Sequence, residues 1–115
     1  MSKQSIPVQT LTLALTATVA ANRFTTVAGI QTGADLNALG VSRVGGVSGE
    51  KIPVDTLGTT VIEAGAAIAF GVTLKSDATG RGITWVTAGA RLAIALEAAA
   101  GAGELIEAAL IPNAA

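Results

Sequence analysis

The stretch from Thr10 to Val19 constrains the fold more than any other, because Leu11, Leu13, Leu15, Ala17 and Val19 alternate there with Thr10, Thr12, Ala14, Thr16 and Thr18. A repeat of two gathers its apolar members on one face only when the chain is extended. The segment therefore predicts a strand with Leu11, Leu13 and Leu15 on an apolar surface and Thr12 and Thr16 turned away. Its sheet is either the chain's own or one completed by a partner strand. Leu11 to Ala21 also has the length of a signal peptide's apolar region, but threonine at nearly every second position argues for the strand, as does a preceding region offering only Lys3 and Pro7. Met1 to Pro7 is largely polar and ends on a residue that cannot donate to a ladder. Residues 1–9 are thus expected to form an extended N-terminal arm on a single β-rich domain of residues 10–115.

Arg23 to Val27 reads as a second short strand, and from Lys51 onward short β-branched runs follow at Lys51 to Val54, Thr59 to Glu63, Val72 to Lys75 and Ile83 to Thr87, each bounded by glycine, proline or aspartate. This spacing predicts a mainly β fold, a small barrel or sandwich with at most one short helix. That helix would lie between Gly33 and Gly40, where Asp35 could open and Gly40 close one or two turns. Gly40 to Gly49 reads as a loop or bulged strand. Ser76-Asp77-Ala78-Thr79-Gly80 reads as a hairpin turn, with Gly80 free to take positive φ. The tail from Arg91 to Leu110 carries eight alanines and would suit a helix on propensity alone. Gly101 and Gly103 and the Leu92-Ile94-Leu96 alternation instead favour two strands, Leu92 to Ala98 and Leu105 to Ile111.

The apolar material comes in small pieces: 24 alanines among 115 residues, with two phenylalanines, one tryptophan and no tyrosine. Burial contributes roughly 25 cal/mol per Å² of apolar area, so such a core is thin, and association would add what it lacks. Seven basic and eight acidic residues are scattered singly, which leaves no footprint for nucleic acid, and no apolar run is long enough to cross a membrane as a helix. Histidine and cysteine are absent, removing the commonest general base, nucleophile pairing and zinc ligands. The acids form no paired-carboxylate or hard-cation motif. Gly45 to Lys51 superficially resembles a phosphate loop, yet Glu50 stands where glycine is needed and Ile52 where serine or threonine is needed. Gly101-Ala102-Gly103 lacks a third glycine for a dinucleotide site and is explained as a turn. No catalytic residue, cofactor site or metal site is therefore expected. Trp85 reads as a core or interface anchor, and Arg81 and Arg91, flanking its strand, as candidates for salt bridges to a neighbouring chain.

From Arg23 to Ile111 the chain resembles the capsid cement, or head decoration, proteins of tailed bacteriophages. The resemblance rests on Arg23-Phe24, Leu39-Gly40-Val41, Ser48-Gly49-Glu50, Ala64-Gly65 with Ile68 and Gly71, Ser76 to Arg81, and Ala93 to Ala100 followed by Gly101 and Glu104. It implies a structural virion protein on the outer surface of the capsid, a homotrimer near threefold or quasi-threefold positions whose N-terminal arm contacts the major capsid protein. On that footing the interface residues are expected to be Ile6, Pro7, Val8, Leu11, Leu13, Arg81, Trp85 and Arg91. A rival reading is another virion or surface β-module, such as a tail component or glycan-binding adhesin. It would need an exposed aromatic platform, for which only Trp85, Phe24 and Phe70 are available.

Overall fold

The computed structural model describes residues 6–111. Its strands are β1 (Pro7–Ala14), β2 (Phe24–Thr25), β3 (Gly40–Ser42), β4 (Lys51–Glu63), β5 (Thr73–Ser76), β6 (Gly82–Thr84), β7 (Ala93–Ala95) and β8 (Leu105–Leu110), with no helix among the described residues. The strands run in the order β2-β3-β4-β8-β7-β5-β6, with β1 added against β4. Every strand pairing is antiparallel. The path has two ends and does not close into a barrel, so the mainly β, single-domain expectation holds in its open form.

The two runs Lys51 to Val54 and Thr59 to Glu63 fuse into the single strand β4, which pairs with β1 and β3 through its first half and with β8 through its second. Gly58 lets the chain pass from one half to the other: its φ is 95°, and a Cβ there would collide with the Ile6 carbonyl and the Val8 nitrogen. The register between β1 and β4 shifts at the same place, between Pro7 and Gln9 and again between Gln9 and Thr10. β1 thereby begins earlier than the alternation suggests and takes in Pro7 to Gln9, residues assigned from sequence to the arm, and it ends at Ala14, short of the expected Val19, because the chain bends at Thr16 and Ala17; Met1 to Ser5 lie outside the described residues.

The expected helical turns between Gly33 and Gly40 do not form. Asp35 adopts φ 63°, which no right-handed helix admits. Its backbone instead bridges two segments, the nitrogen donating to Ser76 at 3.2 Å and the carbonyl accepting from Ala90 at 3.1 Å. The strand predicted at Arg23 to Val27 stops at Thr25, because Thr26 to Ile30 closes into a turn through Thr26 N–H to Ile30 O at 2.8 Å. The Ser76 to Gly80 turn does join a hairpin, β5 to β6, with Gly80 at φ 82°. The tail forms the antiparallel pair β7 and β8, Ala95 opposite Ala108, not a helix.

Two apolar clusters hold the fold. The larger joins Phe24, Val41, Ile62, Leu74, Leu92 and Ile106 with buried alanines that include Ala64, Ala93, Ala95 and Ala108. Where β7 meets β8, Ala95 stands opposite Ala108 and Ala93 opposite Leu110, which packs against the same cluster. The smaller joins Leu15, Val19, Ile52 and Val54, with Leu13 and Leu39 packed against it.

Candidate functional site

Five of the eight residues singled out from sequence lie together along β1 and just before it. The ladder positions them: Ile6 donates its N–H to Thr59 Oγ1 at 2.9 Å and accepts Thr59 N–H at 3.1 Å, Pro7 stands opposite Gly58, and Leu11 and Leu13 stand opposite Val54 and Ile52. Along the apolar face burial rises steadily. Leu11 is 41% exposed, Leu13 is half-buried, and Leu15 and Val19 belong to the smaller core. Ile6 and Val8, at 58% and 74%, project into solvent. The alternation thus describes one face covered at one end and bare at the other.

Behind this strand stands a polar cluster that the sequence did not signal. Asp55, on β4, is fully buried, yet its carboxylate accepts from Thr10 Oγ1 at 2.8 Å, from Thr60 Oγ1 at 2.7 Å and from Arg43 Nη1 at 3.2 Å. A buried carboxylate is tolerated when its lone pairs are filled in this way, and the Thr10 contact ties β1 to β4 through side chains as well as backbone. Because Thr10 and Arg43 come from other segments and only Thr60 shares β4 with Asp55, spacing along the chain could not reveal it.

The remaining three residues separate. Arg81 is spent within the molecule, pairing through Nε with Asp77 at 3.2 Å and through Nη1 with Glu63 at 3.7 Å, where Arg23 also pairs at 3.2 Å. Partial burial of Asp77 pushes its carboxyl up. The N–H groups of Thr79 and Arg81, the Thr79 hydroxyl and the Arg81 charge outweigh that effect, so its pKa lies below the ordinary value. Trp85 and Arg91 do meet: the Arg91 guanidinium lies 4.1 Å from the centre of the indole ring, and the indole N–H donates to Gly89 O at 2.8 Å. One face of the half-buried ring is therefore already covered. Phe24 is buried in the core and Phe70 stands alone in solvent at 66% exposure, so the aromatics do not assemble into a platform.

The arrangement offers contact surface and hydrogen-bonding edges. Among the described residues no group of three or more acidic, histidine or cysteine side chains is placed to hold a metal ion.

A family profile described as phage cement protein matches residues 3–110. No curated protein matches the chain. Among solved structures, it is similar to the N base of head fiber gp8.5 in bacteriophage phi29, with a TM-score of 0.73 and 17% identity, covering 90% of this chain and 93% of that chain. At that identity the likeness is one of fold.

Proposed function

This chain belongs to the phage cement protein family, and from that premise we propose that it stiffens the phage head by bridging adjacent major capsid protein subunits, bound as a homotrimer. As a cement protein it is a structural component of the virion, on the outer surface of the capsid. The proposed mechanism is buried interface and involves no catalysis. The observation that carries the reading is the uncharged strip of exposed Ile6, Val8 and Leu11 around half-buried Pro7, held in place by β4. An alanine-rich core of limited extent supports the trimer, since copies packed together bury area that one copy cannot.

Capsids of the phage that encodes the chain, assembled without it, test the reading. Added protein should bind them to a saturating number of copies and raise their resistance to heat. Val8→Asp should lower occupancy at least tenfold with unfolding unchanged, because Val8 touches little of its own chain. Failure of the unaltered protein to bind these capsids would overturn the proposal.

A further inference from the structure

β1 has a second edge. Arg43 N–H donates to Pro53 O at 3.1 Å, so the polar backbone atoms of Pro53 point toward β3, away from β1. In an antiparallel ladder successive residues point to alternate sides. Leu11 and Leu13, opposite Val54 and Ile52, therefore bond to β4, as Leu15 does through its N–H to Glu50 O at 2.8 Å. The intervening Thr10, Thr12 and Ala14 present their N–H and C=O groups outward. Beyond them this edge is closed: Thr16 N–H donates to Gly29 O at 3.1 Å, and Gly29 sits hard against the Ala14 carbonyl. No strand among the described residues pairs with the outward side of Thr10 to Ala14.

Open edges in soluble proteins are usually guarded by lysine, proline or a bulge. Here the irregularities end at Thr10, and no charged residue occurs between Lys3 and Arg23. Resting on the cement reading above, we propose that this edge receives an extended, uncharged segment of a capsid subunit as an added strand, bonded to the backbone of Thr10 and Thr12 and flanked by Ile6, Val8 and Leu11. Main-chain bonds then supply affinity, and the exposed apolar side chains supply selectivity.

Thr12 separates this mode from simple side-chain contact. Its N–H makes no bond to β4, so Thr12→Pro removes an outward donor and leaves the ladder intact, whereas Leu13→Pro removes a ladder bond and serves as the unfolding control. Thr12→Val, which keeps the N–H, should bind capsids like the unaltered protein. Thr12→Pro, with thermal unfolding within a few degrees of the original, should lose at least tenfold in occupancy. Amide exchange should show the outward amides of Thr10 and Thr12 exchanging freely in the isolated protein, unlike those of Leu11 and Leu13, and protected on the capsid. Should Thr12→Pro fail to fold, amide exchange on the unaltered protein decides alone. Capsid binding without protection of these amides overturns the added strand while leaving the cement function standing. Protection already present in the isolated protein at micromolar concentration assigns the edge to a second copy and equally overturns it. Absence of capsid binding altogether falls on the earlier reading.

Discussion

Asp77 shows how much of this molecule's order rests on single polar side chains. Its carboxylate accepts from Thr79 N–H and Arg81 N–H, each at 2.9 Å, and pairs with the Arg81 guanidinium, tightening the β5 to β6 hairpin against the end of β4. Its folded pKa is lowered, so the stability it adds is fully present above the unfolded value of about 3.9 and disappears as pH falls through the lower folded value. Asp77→Asn should accordingly cost about 1 kcal/mol at pH 7, seen as a drop of roughly 4 °C in Tm, and much less at pH 2.5, with thermal scans at both pH values as the measurement. Gly65 belongs to the same arrangement, because a Cβ there would run into the Asp77 carboxylate. Gly65→Ala should cost about 1 to 3 kcal/mol, and the double variant Gly65→Ala with Asp77→Ala should recover part of that loss in a double-mutant cycle.

At the scale of elements, period and turn chemistry were readable where the physics is local. The Thr10 to Ala14 part of the alternation, the Ser76 to Gly80 turn and the pair of strands around Gly101 to Gly103 all follow from side-chain period or from glycine's tolerance of positive φ. What escaped depends on distant partners. The fusion of two runs into β4 needs Gly58 to lie under the Ile6 carbonyl, and the missing helix at Gly33 to Gly40 reflects backbone bonds from Asp35 to Ser76 and Ala90. Of the candidate interface residues, those on β1 share a strip because they share a strand, but Arg81 was legible only as a charge: its acids, Asp77 and Glu63, come together through the fold. The β1 assignment itself makes an unequal pair of substitutions. Leu13→Asp puts a carboxylate against Leu15, Ile52 and Val54 and should cost about 2 to 3 kcal/mol, while Thr12→Asp, on the exposed face, should cost under about 1 kcal/mol. Denaturant unfolding of the two variants checks the order, and equal losses would remove the strand face from the account.

For the whole molecule, the central fact is that one strand carries both halves. β4 anchors β1 and β3 at one end and β8 at the other, and among the described residues no second strand pairs on both sides of this divide. The thin core predicts self-association: sedimentation at micromolar concentration should give a species three times the mass of the chain, and a monomer that also binds capsids without touching its copies would contradict the trimer. The shared strand also has a mechanical meaning. β1 and β8 each run opposite to β4, and the leading end of β1, with Pro7 opposite Gly58, meets the trailing end of β8, with Ala109 opposite Thr59, at adjacent positions of β4. A pull that separates these two ends falls first on the few bonds around Gly58 and Thr59, whereas a pull at Ala14 against Leu105, the far ends of the two ladders, acts along the strands and is spread over many bonds lying at right angles to it. In a single-molecule pulling experiment the protein should therefore resist handles at Ala14 and Leu105 far better than handles at Pro7 and Ala109, a directional toughness built on one strand.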